Sequence, residues 1–461
     1  MNPVPRPRIR RVIHKLLSSQ GGQVLSNGSW NALQQVVTKS SNVVIGMLLV
    51  VTLSQRDFGL YSYVVSIVAI GLSVMRAGLS ELAVKAFVHR GNQVASTMME
   101  LIIAREAFAL IGYISIGVLS YFTSSNLALA ATLLASLALF GRALDAPEFW
   151  FVARMDSRTP ATIRIVASLV MLAIRIGLLI WYPSLWLFLT VFACEALVVG
   201  ILIIYRYWSD IASPGFAPPS ANSIVSSISE SLPLLLSGIA NQVNLGGDVV
   251  ILNTLLGATS VGIYSAASRF SELAYFLPVV YMNAAFPHII RLRRDRGAEH
   301  RDYLGMMQRG YDIAFWSGVA VAGVIGLVGT FIIGQWFGPE YAESRSVLLI
   351  HVAACPFIFM AAVYSKWVIV EGILWTSLLR HSLGAAVNIA LCMYLIPIHG
   401  VKGAAIATIC SYTFASYGSC FIGGTKNRQA GMAMTRAMVA PFRYAALFIH
   451  KDTRTTEGTT Q

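Results

Sequence analysis

The sequence predicts an all-α polytopic membrane protein: about twelve transmembrane helices in two parallel six-helix lobes around a central cavity. Composition, the spacing of apolar segments and an internal repeat carry that expectation. Hydrophobic residues make up 56% of the 461 and charged ones only 12%, whereas an ordinary soluble domain is roughly 25% charged. The mean hydropathy of +0.66 points the same way. A spanning helix needs about 20 apolar residues, so twelve of them fill roughly 240 positions and leave only short connections.

Apolar stretches recur at about 29–53, 58–82, 101–122, 127–149, 162–182, 185–206, 224–252, 261–287, 311–334, 347–370, 378–397 and 401–423. Turn chemistry separates them: TSSN after the third, YPS after the fifth, SPGFAPPS after the sixth, GPEYAESR after the ninth and PIHG after the eleventh. The longest proline-containing break lies near the middle. The chain therefore divides into a basic N-terminal segment (1–28), a first six-helix lobe (29–206), a linker (207–223), a second lobe (224–423) and a basic tail (424–461).

The lobes are related in sequence. GLYS at 59–62 returns as GIYS at 262–265, an offset of 203 residues, and the same offset aligns Asn27 with Glu230, Gln34 with Ser237, Thr38 with Asn241 and Ser41 with Asn244. The fifth spans match at an offset of 216, RIVASLVMLAIRIGLLI at 164–180 against RHSLGAAVNIALCMYLI at 380–396. Six spans per lobe is an even number, so both lobes enter the membrane from one side and the repeats are parallel.

Charge sets the orientation. With span-end residues counted in the connection they adjoin, 25 of the 34 Lys and Arg lie on the side of the N-terminus, three (Arg56, Arg345 and Lys402) on the other, and six within spans. Cytoplasmic loops carry the basic excess, so both termini are expected in the cytoplasm. The same asymmetry accounts for the net charge of +13 and for RLRRDRGAEHR at 291–301; with no aromatic-interleaved motif beside that run, nucleic acid is not an expected partner. At the N-terminus, RIRRVIHKLLSS sets Ile9, Val12, Ile13, Leu16 and Leu17 at helical spacing opposite basic residues, the pattern of an interfacial helix on anionic lipid. Its basic start is not followed directly by an apolar core, so no secretory signal is read there. All five cysteines fall within spans, where a thiol serves as a small hydrophobe, and no metal-ligand spacing occurs.

In the seventh span, Glu230, Ser237, Asn241, Asn244 and Asp248 follow at intervals of seven, four, three and four, which is one helix face. Polar groups in hydrocarbon need protein partners or water. Gln34, Thr38, Ser41, Ser237, Asn241 and Asn244 are accordingly read as lining a hydrated cavity, with helix-to-helix hydrogen bonding as the alternative. The intramembrane cations are Lys39, Arg76, Arg105, Arg142, Arg175 and Arg269. Arg175 follows Arg164 by three turns, about 16 Å deeper and near the midplane, where a charge costs about 2.5–3.5 kcal/mol on insertion scales unless it meets a partner or water.

Spacing of i, i+3 pairs Arg142 with Asp145 and Arg269 with Glu272; Arg105 stands beside Glu106, and Lys39, Arg76 and Arg175 have no local acid. Guanidinium and ammonium are natural partners of phosphate. Lys39, Arg76, Arg142 and Arg175 are the candidates for an anionic headgroup site, Arg76, Arg175 and Lys39 foremost. In the second half Arg269 faces Glu230, Asp248 and Glu272, and Glu230 and Asp248 are the candidates for coupling to a proton or cation. Tyr113, Trp150, Trp316 and Trp367 are candidates for stacking on sugar, although an aromatic belt at span ends explains such residues as well.

Three segments carry a resemblance: SQRDFGLYSYVVSIVAI at 54–70, MRAGL at 75–79 and APEFWFVARMDSRTPATIRI at 146–165. They are similar to the bacterial polysaccharide (O-antigen and exopolysaccharide repeat-unit) flippases of the multidrug/oligosaccharidyl-lipid/polysaccharide exporter superfamily, over about 20–425. The resemblance implies a transporter rather than an enzyme, without a cofactor. It would move a polyprenyl-diphosphate-linked oligosaccharide from the cytoplasmic to the periplasmic leaflet of the bacterial inner membrane by alternating access, for cell-surface polysaccharide biosynthesis. Its partners would be the lipid-linked oligosaccharide, the bilayer, and polysaccharide polymerase and assembly proteins. Lys39, Arg76, Arg142 and Arg175 could supply the cationic cavity typical of that family. A drug or small-cation exporter of the same superfamily is the alternative, disfavoured by the arginines. A membrane polymerase or ligase is less consistent still, since the longest outer connection is about twelve residues and no nucleophile or phosphate-loop motif occurs.

Overall fold

The computed structural model describes residues 20–76, 79, 83–84, 87, 94–210, 221–275, 277–297, 301–373 and 375–441. Among them every regular element is helical. The segment expected to form an N-terminal interfacial helix, most of the linker, the tail beyond 441 and the side chain of Glu230 lie outside the described residues.

The first unit, residues 1–242, contains α1 (Gln20–Thr52), α2 (Gln55–Arg76), α3 (Val94–Thr123), α4 (Asn126–Ser136), α5 (Ala138–Ala143), α6 (Glu148–Ala153), α7 (Arg158–Trp181), α8 (Leu185–Asp210) and the start of α9 (Ala221–Leu256). The second unit, residues 243–461, continues α9 and adds α10 (Ala258–Glu272), α11 (Leu277–Arg296), α12 (Arg301–Trp336), α13 (Ala342–Val352), α14 (Cys355–Val370), α15 (Trp375–His399), α16 (Val401–Ser416) and α17 (Thr425–Met438). Nine helices among the described residues are long and apolar enough to cross a membrane, and eleven if each of two bent pairs is one span. The twelfth expected span is α16, of only 16 residues, followed by a 3-10 turn at Gly418–Phe421.

Local chemistry sets the boundaries. Ser54 caps α2, accepting from the Asp57 N–H at 3.1 Å while its hydroxyl donates to the Asp57 carboxylate at 2.8 Å, the reciprocal satisfaction of a helix N-terminus. Gly257 and Gly400 open α10 and α16 with φ of +81° and +60°, a region an L side chain rarely adopts. The fourth span is broken between α5 and α6. Pro147 has no N–H to give Ala143 and its ring crowds that carbonyl; the chain crosses the gap in tight turns, Ala146 N to Ala143 O and Glu148 N to Asp145 O. Where α5 meets α8, a Cβ on Gly141 would stand 2.4 Å from the backbone N of Leu197, and one on Gly200 2.3 Å from the Gly141 carbonyl. The backbones are in direct contact, as small residues allow between membrane helices.

At one end of the second unit, Glu371 follows α14 and is 8% exposed. Arg293 Nε and Lys426 Nζ both approach its carboxylate at 2.9 Å, and the Tyr303 hydroxyl donates at 2.9 Å. This clasp joins α11, α12, α14 and α17. Burial pushes the Glu371 carboxyl up, but hydrogen bonds from Arg293, Lys426 and Tyr303 outweigh that and hold it below the usual value of 4.5. A depressed carboxylate contributes stability that is complete above its unfolded pKa and lost as pH falls through the folded one. Glu371→Gln is expected to cost about 1–3 kcal/mol at pH 7 and to remove part of the acid-side loss below pH 4.5. Thermal unfolding at pH 7 and pH 4 checks this; equal melting temperatures for both proteins at pH 7 would contradict it.

Candidate functional site

The break in the fourth span gathers charge inside the first unit. Asp145, buried between α5 and α6, accepts from Arg105 of α3 at 2.9 Å and from Arg164 of α7 at 2.5 Å, one guanidinium on each oxygen. Arg164 also bridges to Glu148, and Arg105 donates to the Arg142 carbonyl at 2.7 Å, a group that the interrupted helix leaves free. Three turns further along α7, Arg175 pairs with Glu195 of α8 at 2.6 Å, the arginine being 3% exposed. Arg142 lies among Arg164, Asp145, Glu195 and Arg76, and Arg76, exposed at the end of α2, among Asp145, Arg105 and Arg164.

Five guanidiniums thus meet three carboxylates, Asp145, Glu148 and Glu195. The acids are committed to Arg105, Arg164 and Arg175. Arg76 and Arg142 form no ion pair among the described residues. Buried pairs hold geometry, since leaving one partner alone in low dielectric is costly, whereas an unpaired guanidinium next to them keeps its donor fork for another anion.

The second unit carries the opposite polarity. Asp248 of α9 is 2% exposed; its Oδ1 accepts from the Val249 N–H at 2.8 Å, and its Oδ2 from the hydroxyls of Tyr264 and Thr408, the latter at 2.9 Å. No cation pairs with it among the described residues. Asn388 donates to Ser411 at 3.1 Å nearby in α15 and α16. Arg380, at the repeat position of Arg164, is buried but has neither carboxylate: Ala361 and Tyr364 stand at the positions of Asp145 and Glu148, and it donates to Ser365 at 2.8 Å and lies 5.2 Å from the Tyr364 ring.

Residues 24–293 match the family described as "Polysaccharide biosynthesis protein". The chain belongs to that family. The chain is 28% identical over 234 residues to a Haloferax volcanii protein named "Probable flippase AglR", the match covering 48% of this chain and 46% of that one. The chain thus spans about half the length of the curated relative it matches. Two solved structures share its fold: an inward-facing multidrug resistance MATE family transporter of the MOP superfamily, at 16% identity and a TM-score of 0.65 over 87% of this chain and 96% of that one, and the lipid II flippase MurJ in an inward closed conformation, at 17% and 0.64 over 89% and 93%.

Several sequence expectations change in the structure. Arg175, expected without an acid, is paired with Glu195 on the next helix. Arg142, expected to pair with Asp145, is not paired with it, because α5 ends at Ala143 and the helical phase that i, i+3 spacing presumes is lost before residue 145. Arg105 bonds Asp145 rather than the adjacent Glu106, since neighbours on a helix point apart. Arg269 and Glu272 share the continuous α10 and do meet, at 3.5 Å. Lys39 is exposed on α1, and no described contact joins it to the guanidinium cluster.

Of the polar stripe, Gln34 donates to Thr38 at 3.3 Å, Ser41 and Asn244 are buried, and Ser237 and Asn241 are half-buried. Asn27 holds the turn before α7, donating to the Met155 carbonyl at 2.6 Å and accepting from the Ser157 N–H at 3.2 Å. The aromatic candidates have structural partners. Trp150 packs against Tyr207 at 5.2 Å, Trp367 stacks on Tyr303 at 5.9 Å, Trp316 donates to the Ala437 carbonyl at 3.0 Å and Tyr113 meets Phe140 at 5.7 Å. Glu195 and Arg380 were missed from sequence; a lone carboxylate deep in the sixth span and an arginine at the start of the eleventh were their only signals.

Proposed function

We propose that the chain is a flippase that carries a polyprenyl-diphosphate-linked oligosaccharide from the cytoplasmic to the periplasmic leaflet of a bacterial inner membrane by alternating access, with both termini cytoplasmic. One observation carries the substrate class: among the described residues Arg76 and Arg142 form no ion pair, beside a cluster in which the other guanidiniums are already neutralised. A diphosphate leaving water needs charge-assisted donors in bidentate geometry. Arg76 and Arg142 are its ligands in this reading, with Lys39 further along α1, while Arg105, Arg164 and Arg175 hold the walls. A drug or small-cation exporter would need the reverse polarity in the same place. Polymerase and assembly proteins would take the delivered repeat unit.

Asp248 is the coupling group in this reading. A buried carboxylate surrounded by neutral donors, with no ion pair among the described residues, is suited to exchange a proton or a cation. Deleting the gene should cause lipid-linked repeat units to accumulate on the cytoplasmic leaflet, and re-expression should clear them; no accumulation would end the proposal. Asp248→Asn is expected to bind a lipid diphosphate as wild type does, while its flipping in proteoliposomes loses its response to an imposed ion gradient. Unchanged gradient-driven flipping by that variant would remove Asp248 from the mechanism.

A further inference from the structure

The tenth span is bent by 41° between α13 and α14, and an ionisable side chain sits at the bend. Pro356, in the first turn of α14, has no N–H for the Val352 carbonyl, and the chain crosses the gap with single turns, Ala353 N to Ile350 O and Ala354 N to His351 O. Gly318 of α12 packs on the bend; a Cβ there would stand 2.7 Å from Pro356 Cα. His351 occupies the last turn of α13 and is 3% exposed.

Its ring reaches a second interruption. Ser271 and Tyr275, at the end of α10 and in the turn that follows, lie 2.7 and 3.3 Å from His351 Nδ1. The Ser271 hydroxyl donates to the Ser268 carbonyl at 2.9 Å, and a serine has one proton to give. Its oxygen therefore accepts from Nδ1–H, an assignment made from the bonding pattern, which leaves the lone pair on Nε2. The Tyr264 ring, whose hydroxyl bonds Asp248, meets the imidazole edge to face at 5.8 Å.

We propose that His351 is a proton-binding site that sets the bend of the tenth span and, through Tyr264, the occupancy of Asp248. A proton from water adds at Nε2 and no other bond is made or broken. The resulting imidazolium stands at a helix C-terminus, where the backbone dipole attracts a cation, and beside the Tyr264 ring. Drawing that ring toward His351 loosens the Tyr264 bond to Asp248. The groups that face it are few. Element α10 supplies Tyr264, Tyr275 and the outward Glu272; α16 supplies Tyr412, whose ring meets Tyr275; Cys355 opens α14 and Asp248 lies on α9. Helix α12 has no titratable residue between Asp312 and its end at Trp336, and α13 adds Glu343 and Arg345 at its far end, beyond Glu340 and Tyr341. No carboxylate is bonded to the imidazole to fix its charge among the described residues.

The inference rests on the coupling role given to Asp248, but its test needs no substrate. Hydrogen exchange is measured on the full chain in nanodiscs between pH 5.5 and 8, corrected for intrinsic rates, over 350–358. Wild type is expected to be protected about tenfold more at the acid end, with no such change in α7. His351→Gln, which keeps a hydrogen-bonding side chain but cannot titrate, should show equal protection throughout. Asp248→Asn should lower the transition pH, because an anion that favours the imidazolium is gone. A pH response preserved in His351→Gln, or absent in wild type, overturns the proton site, and an unshifted midpoint in Asp248→Asn overturns the link. Should His351→Gln fail to fold, Ser271→Ala/Tyr275→Phe keeps the ring and removes its partners; an unmoved midpoint there also overturns the proposal. Failure of transport with these responses intact would count against the flippase reading alone.

Discussion

Arg76→Ala and Arg142→Ala are expected to accumulate to wild-type level yet fail to complement a strain lacking its own polysaccharide flippase. Each removes a guanidinium that forms no ion pair among the described residues, so the fold loses little. A charge-assisted hydrogen bond to phosphate contributes about 1.5–3 kcal/mol, so headgroup affinity should fall about tenfold to a hundredfold for each. Arg175→Ala should behave in the opposite way. Its partner Glu195 is buried with it, and stranding a buried charge costs about 3–5 kcal/mol, so protein level and melting temperature should drop along with activity. Immunoblots and thermal unfolding separate the two outcomes. Full complementation by an Arg76→Ala/Arg142→Ala double variant would show that these side chains do not bind substrate.

The second large effect is expected at Asp145. Its two oxygens serve two arginines from different helices, so Asp145→Ala leaves Arg105 without a carboxylate and Arg164 with Glu148 alone. The cost should reach about 3–5 kcal/mol, enough to deplete the folded protein in membranes. Glu148→Gln should cost roughly 1 kcal/mol or less, because Glu148 is half-buried and Arg164 retains Asp145. Fluorescence-detected size exclusion after a heat step would rank the variants; Asp145→Ala melting with wild type would show that the cluster does not hold these helices together.

Span positions were legible because the bilayer imposes a length and a polarity that few sequences satisfy by accident. Breaks inside spans were less so. Pro147 and Pro356 stand at two of them, but a proline in the sequence does not say how far the chain bends or what fills the gap. The break also explains the mistaken partner of Arg142. The i, i+3 rule holds for Arg269 and Glu272 because α10 is continuous, and fails at Asp145 because the helix has already ended.

Charge was legible as cost rather than as pairing. Apolar surroundings marked Arg175 as needing a partner, yet Glu195 lies on another helix, where spacing along one chain carries no information about register. The same limit hid the arrangement around His351, built from three helices. Aromatic residues were ambiguous for a different reason: a Trp near a span end looks the same whether it faces sugar, lipid or Tyr207.

The shared carboxylate also bears on how the chain is made. Synthesis proceeds from the N-terminus, so Arg105, in the third span, emerges before Asp145 in the fourth, and Arg164 follows in the fifth. Until the fourth span arrives, the third holds an uncompensated guanidinium against an insertion preference of about 2.5–3.5 kcal/mol. The three spans therefore form one insertion unit: a nascent chain truncated after the third should leave that segment poorly integrated, and extending it past residue 164 should settle all three in the bilayer together.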